Sequence, residues 1–469
     1  MAHPQIIQGG MGAGVSNWKL ANAVSKLGCL GVVSGTALDS ILARRLQLGD
    51  AGGHMRRAMA HFPNQAISDR VLEKYYIPNG KESTAPFKAV PLYGARPNPD
   101  LVELTVLANF VEVFLAKEGH GGLVGINYLE KIQLPNLPSL YGAMLADVDY
   151  VLMGAGIPKD IPGALDTLSL HQATALKIHI EHARQGEEAS YVFDPAHLHL
   201  PPQMPMKRPY FLAIVASVTL AIALARKSSG RVDGLIIEKP SAGGHNAPPR
   251  GILQCDENGQ PVYGTKDEVD LEKIRKLDLP FWMAGSYASP DMLKEARDQG
   301  AVGIQVGTAF AFCEESGLEN GIKQDFLRQL SEDTVRIVTD PIASPTGFPF
   351  KVVQMETAQP SAPRTRERTC DLGYLRTAYL KPDGILGFRC PSEREDTYIK
   401  KGGTLEATQG RKCLCNALLA NIGLPQQRED GPEMPLLTAG DNIGVIKQFI
   451  TKEKTSYAAQ EVIAYLQGH

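Results

Sequence analysis

Short apolar runs rich in valine, isoleucine and glycine recur along the first two thirds of the chain, and several precede segments with helical periodicity. Such runs are typical of parallel strands buried on both faces. Eight are found, at 5–9, 30–34, 123–127, 148–153, 210–215, 234–238, 281–285 and 303–307. Eight strands of this kind predict a TIM-type (β/α)8 barrel with active loops at the carboxyl ends of the strands. A doubly wound open sheet is the alternative.

Two helices carry clear start or stop signals. The segment 20–27 has apolar positions at helical spacing and stops at Gly28, where a left-handed cap costs least. The segment after Ser289 begins with an N-cap serine followed by Pro290 and stops at Gly300. Both are predicted to be helices of the barrel.

Three stretches of the chain do not fit a minimal (β/α)8 barrel. We predict a barrel over residues 1–320, with large insertions at about 52–121 and 183–209, and a cysteine-containing C-terminal extension over 321–469, packed on the barrel. Long ordered loops usually serve a function. The two insertions are therefore expected to cover or line the barrel mouth.

Composition narrows the class of partner. The chain has 469 residues, 43% of them hydrophobic, and a formal net charge of -3. This charge gives no basis for binding nucleic acid or an acidic membrane surface, so small-molecule partners are expected. The longest apolar stretch, 210–225, is too short to span a membrane. With no secretory signal evident and seven cysteines in a long chain, a cytoplasmic location is expected.

A glycine run, from Gln8 to Gly14, follows the first predicted strand. Glycines between a strand and a helix let a cofactor approach the backbone closely. The spacing is not the Gly-x-Gly-x-x-Gly of dinucleotide-binding folds, and no acidic residue closes a second strand at the expected distance. A Rossmann site is therefore disfavoured.

The sixth predicted strand leads into Ala242, Gly243, Gly244 and His245. This order places an imidazole on a tight turn that faces the barrel mouth. Because an unperturbed histidine has a pKa near 6.5, His245 is the candidate catalytic residue, acting as a base or a hydrogen-bond donor.

Small-residue loops follow the seventh and eighth strands. They contain Gly285 and Ser286 in the first loop, and Gly307 and Thr308 in the second. In barrels of this class, loops seven and eight present backbone N–H groups to a phosphate. These four residues are the predicted phosphate cradle.

These segments, taken in order, resemble the nitronate monooxygenase (2-nitropropane dioxygenase) family. They are the glycine run from Ile7 with the helix at 20–27, the Ala-Gly-Gly-His turn, and the Ala-Gly-Ser and Val-Gly-Thr-Ala-Phe loops. Flavin-dependent enoyl reductases are similar over the same motifs. The resemblance covers roughly residues 1–320. It implies FMN held by Gly9, Gly10 and Met11, with Asn127 near the flavin. Gly243, Gly244 and Gln305 complete the expected cofactor-binding set.

The resemblance implies an FMN-dependent oxidoreductase that oxidises an alkyl nitronate or nitroalkane with O2, with His245 taking a proton or orienting the nitronate. One alternative is an NAD(P)H-dependent FMN enoyl-thioester reductase, for which an acyl-carrier protein would be a partner. A second is a non-catalytic flavin-binding or scaffolding subunit. The motif departs from the family around His245: Glu238-Lys-Pro-Ser precedes the turn, and Arg250 downstream adds a candidate anion contact.

The C-terminal extension contains four of the seven cysteines: Cys370, Cys390, Cys413 and Cys415. Four thiolates suffice for a tetrahedral zinc or an iron–sulfur cluster. The spacing has only one close pair, unlike a zinc ribbon, so buried thiols are the alternative. We state a zinc or iron–sulfur site as a hypothesis.

Overall fold

The computed structural model describes residues 3–202, 204–355 and 368–469. Eight parallel strands close into a barrel in the order β1, β2, β3, β4, β7, β8, β9, β10 and back to β1. Their bounds are β1 Ile6–Gln8, β2 Leu30–Ser34, β3 Val124–Leu129, β4 Tyr150–Gly154, β7 Tyr210–Val215, β8 Gly234–Glu238, β9 Phe281–Ala284 and β10 Gly303–Val306. The predicted barrel is confirmed, and the open sheet is excluded.

The eight barrel strands are continuous apolar runs because both of their faces are buried. One set of side chains, including Ile7, Leu152 and Trp282, fills the barrel interior. The other set packs against the surrounding helices in one large hydrophobic cluster. This two-sided burial is the physical reason that the strands could be predicted from the sequence.

The helices of the first 331 residues have the following bounds: α1 Trp18–Lys26, α2 Leu38–Gln47, α3 His54–Met59, α4 Gln65–Tyr75, α5 Pro99–Lys117, α6 Gln133–Leu145, α7 Ile161–Ser169, α8 Val218–Lys227, α9 Leu271–Arg275, α10 Pro290–Asp298, α11 Thr308–Ala311 and α12 Asn320–Ser331. Both predicted helices are present as α1 and α10. The Asn17 side chain caps α1, and the Ser289 side chain accepts from the Met292 N–H to cap α10.

The insertions contain more regular structure than expected. Residues 52–121 include α3, α4 and the 19-residue helix α5, which packs against α1, α2 and α6. In the second insertion, β6 Ala189–Phe193 pairs with β5 Thr174–Ile178, which precedes the insertion, in an antiparallel hairpin that the sequence did not predict. Short 3-10 helices lie at Ala51–Gly53, Pro195–Leu198, Thr265–Asp267 and Ile443–Gln448.

The C-terminal extension is built from small hairpins and short helices. Its elements are β11 Arg336–Asp340, β12 Phe350–Gln354, β13 Thr377–Leu380, β14 Leu386–Arg389, α13 Glu395–Lys400, α14 Leu405–Thr408, α15 Leu414–Ala420, β15 Gln427–Arg428, β16 Gly431–Pro432 and α16 Ala459–Leu466. Leu419, Leu437 and Val462 of the extension belong to the same hydrophobic cluster as the barrel helices. Within the described ranges, no helix is long and apolar enough to cross a membrane.

Candidate active site

A cavity of about 260 Å³ lies at the carboxyl ends of the barrel strands. We call it the mouth cavity. All twelve residues predicted for the cofactor and for catalysis line it: Gly9, Gly10, Met11, Asn127, Gly243, Gly244, His245, Gly285, Ser286, Gln305, Gly307 and Thr308. The structure thus brings the predicted residues together at one site. Their individual binding roles stay predictions.

The glycine loop after β1 is shaped by two buried polar side chains. Gln8 donates to the carbonyl of Gly9 and to Ser16 Oγ, and its Oε1 accepts from the Val32 N–H at 3.0 Å. Ser16 Oγ accepts from the Met11 N–H at 2.9 Å and donates to the Gly9 carbonyl at 3.0 Å. This network fixes the loop backbone and turns it toward the cavity.

Close packing at the loop explains why glycine is required there. A Cβ at position 10 would lie 2.4 Å from Asn127 Cβ, and one at position 9 would lie 3.2 Å from Gln305 Cγ. No larger residue fits at position 10 without displacing β3. The loop, Asn127 and Gln305 therefore form one continuous wall of the cavity.

Three buried polar atoms on the cavity wall have no hydrogen-bond partner among the described residues: Thr36 Oγ1, Gln305 Oε1 and Asn421 Oδ1. A buried polar group without a partner costs free energy unless a ligand or water satisfies it. These atoms mark the wall as built for a polar ligand. Sequence reasoning missed Thr36, although Gly35, Thr36 and Ala37 after β2 repeat the Gly-Thr-Ala found after β10.

Two consecutive residues of the predicted phosphate cradle have a left-handed backbone conformation. Gly285 and Ser286 both have positive φ, of +89° and +61°, directly after β9. The hydroxyl of Thr308 accepts a hydrogen bond from the Gly440 N–H at 2.8 Å, which leaves its own proton for another acceptor. The Gly244 N–H is used differently, since it donates to Thr438 Oγ1 at 2.8 Å.

His245 is held by the C-terminal extension. Its Nε2 is 2.7 Å from Ser344 Oγ, and its ring packs edge-on against Phe350 at 4.8 Å between centroids. Burial, together with the nearby positive charge of Lys131, lowers the pKa of His245 to about 4. The imidazole is therefore neutral at pH 7 and is better suited to hydrogen bonding than to abstracting a proton.

Glu238 ends β8 and lines the same cavity as His245. Burial raises the pKa of its carboxyl to about 7. A carboxyl tuned to neutral pH is a typical general acid or base. Glu238 received no role from the sequence, although an acidic residue at the carboxyl end of a buried strand is a usable signal for one.

The C-terminal extension, and not the described residues of the two insertions, helps to line the mouth cavity. Tyr374, Leu414, Leu418 and Leu437 of the extension line it, whereas none of the described residues within 52–121 or 183–209 does so. The expectation that the insertions line the mouth was therefore wrong. An apolar cover from the end of the chain could not be placed from sequence, because its position depends on long-range packing.

The four cysteines of the extension lie around one small cavity beside the mouth cavity, and Cys415 lines both. Burial raises the pKa of Cys390 and of Cys413 to about 12, so both are thiols at neutral pH. Among the described residues, which include Cys370 and the other three, no group of His, Cys, Asp or Glu side chains is arranged to hold a metal. The structure does not support the predicted zinc or iron–sulfur site, because the thiols cluster without a ligand geometry.

Comparison with known proteins confirms the resemblance seen in the motifs. A probable nitronate monooxygenase of Staphylococcus haemolyticus is 30% identical over 127 residues, which is 27% of this chain and 34% of that protein. Nitronate monooxygenase of Pseudomonas aeruginosa is 28% identical over 150 residues, 32% of this chain and 40% of that protein. The chain thus spans between a third and two fifths of these relatives.

No family model matches the chain. Among solved structures, FabK from Thermotoga maritima aligns over 100% of this chain and 92% of its own, with a TM-score of 0.48 and 15% identity.

Proposed function

We propose that this chain is an FMN-dependent oxidoreductase of the nitronate monooxygenase type, with FMN in the mouth cavity and an alkyl nitronate or nitroalkane as substrate. The observation that carries the proposal is that twelve residues, predicted from motifs spread over 300 positions, line one cavity. The similarity to curated nitronate monooxygenases supports the same class.

The cavity wall fits FMN. The wall of Gly9 and Gly10 has no room for side chains, which leaves bare backbone for a flat ring system. The unpartnered oxygens of Gln305, Asn421 and Thr36 offer acceptors to a ligand rich in N–H and O–H groups. Gly285, Ser286, Gly307 and Thr308 would hold the phosphate. FMN bound there would supply the redox chemistry, with the substrate as electron donor and O2 as acceptor.

A positive charge close to His245 suits an anionic substrate. Lys131 donates to the Thr346 carbonyl at 3.0 Å and adds positive charge close to His245. That charge favours a nitronate over the neutral nitroalkane. Neutral His245 would orient the nitronate by hydrogen bonding, and Glu238, with a pKa of about 7, would take the proton from a neutral nitroalkane.

The first experiment is an anaerobic titration of the purified protein. We expect a yellow protein with bound FMN, whose flavin absorbance bleaches on addition of propyl-2-nitronate and returns with air. A protein that neither contains nor takes up FMN would refute the proposal. Bleaching by NADPH but not by the nitronate would favour the enoyl-thioester reductase instead.

The second experiment separates the two candidate proton-transfer groups. We expect Glu238→Gln to lower kcat/KM for neutral nitroalkanes by ~100-fold, the scale of general base catalysis, with a much smaller loss on preformed nitronates. His245→Asn should lower kcat/KM equally for neutral nitroalkanes and for preformed nitronates, because it removes a binding contact. A loss confined to neutral nitroalkanes in His245→Asn would return the base role to His245.

A further inference from the structure

A second cavity, also of about 260 Å³, adjoins the mouth cavity. We call it the side cavity. The two share Ala155, Ile214, Glu238 and His245 in their walls. Glu238 and His245, the two groups that would act on a substrate, therefore stand at the junction between the cavities.

Part of the lining of the side cavity is apolar. Ile157 lies in the loop after β4, Val215 ends β7, and Leu220 lies in the first turn of α8. Phe348 contributes from the extension. Ile157 is 59% exposed although it is a large aliphatic side chain. An apolar surface left open to water next to reactive groups is typical of a ligand site.

The other part of the side cavity carries one cation. Arg250 lines it, on the loop that follows His245. Asp267 also lines this cavity, and its carboxylate is occupied by the backbone N–H groups of Arg250 and Gly264, which donate to it at 2.8 Å each. Within the described part of the chain, the Arg250 guanidinium has no ion-pair partner. A guanidinium with free donors is suited to binding a carboxylate or a phosphate.

We propose that the side cavity holds the apolar chain of the substrate, with an anionic group at the far end of that chain bound by Arg250. This inference rests on the proposed function, because it places the substrate's reacting end at the junction, beside Glu238 and His245. It specifies a substrate class that the nitronate chemistry alone does not: a medium-length aliphatic chain ending in a carboxylate or a phosphate.

Calorimetric binding of non-reacting probes to the protein as purified tests the site without any turnover. Octanoate and octyl phosphate carry the chain with an anion, and 1-octanol carries the chain alone. We expect either anion to bind more tightly than the alcohol, and the tighter of the two identifies the anionic group. No binding of octanoate or octyl phosphate at millimolar concentration would overturn the proposal.

Substitutions assign the two halves of the site. Arg250→Ala should weaken binding of the anionic probe by about 10-fold or more, the scale of hydrogen bonds to a charged group, and should leave 1-octanol unchanged. Arg250→Lys should recover part of the loss. Leu220→Trp should weaken all probes, since it fills the apolar part. Arg226→Ala, on the exposed surface of α8 outside both cavities, is the matched control.

The outcomes separate this proposal from the proposed function. If the protein lacks flavin but octanoate binding still depends on Arg250, the cavity assignment stands and the FMN proposal fails. If flavin bleaches with a nitronate but Arg250→Ala and Leu220→Trp leave probe binding unchanged, the side cavity is not the substrate site.

Discussion

Glu238 and His245 line the same junction, and burial shifts their pKa values in opposite directions. The folded protein keeps Glu238 protonated up to about pH 7, whereas the unfolded chain loses that proton near pH 4.5. Between these values ionisation favours the unfolded state, so the contribution of Glu238 to stability falls as the pH rises. Glu238→Gln should remove this pH dependence. Its free energy of unfolding should exceed that of the parent by ~1 to 3 kcal/mol between pH 4.5 and pH 7.

Urea unfolding at four pH values across that window measures the difference. Glu257→Gln, at an exposed position on a loop, is the control and should track the parent at every pH. A parallel trend in Glu238→Gln and the parent would show that this carboxyl titrates normally in the folded protein.

Gly10 is the residue with the least room in the glycine loop. Gly10→Ala places a methyl group 2.4 Å from Asn127 Cβ, and relief requires the loop or β3 to move. We expect a stability loss of ~1 to 3 kcal/mol, the usual cost of overpacking, and a clear loss of bound flavin. Gly121→Ala, where an added Cβ meets no atom within 4 Å, should lower neither the stability nor the flavin content. Flavin content per protein and the melting temperature report the two effects.

At the scale of elements, the segment 438–441 of the extension ties the His245 turn to the loop after β10. Thr438 Oγ1 accepts from the Gly244 N–H, and the Gly440 N–H donates to Thr308 Oγ1. One short segment therefore contacts both the turn that carries His245 and a loop of the predicted phosphate cradle. Thr438→Val keeps the shape but removes the acceptor. Since a lost hydrogen bond of this kind is worth ~1 kcal/mol, we expect FMN affinity to fall ~5-fold.

Thr438→Ser retains the hydroxyl and should keep near-parental affinity, measured by titrating FMN into deflavinated protein. Equal weakening in the valine and serine variants would assign the effect to packing rather than to the hydrogen bond.

The elements also show what a single sequence can predict. Barrel strands such as β7 and β8 were predicted with their correct bounds because two-sided burial makes them continuous apolar runs. The hairpin β5–β6 was missed because each of its strands has only two buried residues alternating with exposed ones. The loop residues predicted for the site line one cavity, because the barrel fixes where the loops after its strands meet, and their binding roles stay predictions. Asn421 could not be predicted, because only long-range packing brings α15 and the residues after it to the mouth.

For the whole molecule, the question is whether the extension and the barrel unfold together. Tyr457 is fully buried between them: its hydroxyl donates to the Ala309 carbonyl at 2.7 Å, and its own carbonyl accepts from the Glu314 N–H at 2.9 Å. Helix α16, which follows, packs against α1, α10 and α11. A shared core of this kind predicts a single cooperative transition.

Tyr457→Ala should therefore destabilise the whole protein by ~3 to 5 kcal/mol, as expected for removing a buried aromatic side chain, while Tyr457→Phe should lose only ~1 kcal/mol with the hydrogen bond. Because α11 begins at Thr308 in the predicted phosphate cradle, loosening Ala309 should also loosen the proposed flavin site. We expect flavin fluorescence and far-UV circular dichroism to change at the same temperature in the parent and in both variants. If Tyr457→Ala released its flavin at a temperature well below the one at which the helix signal is lost, the extension would instead detach from an intact barrel.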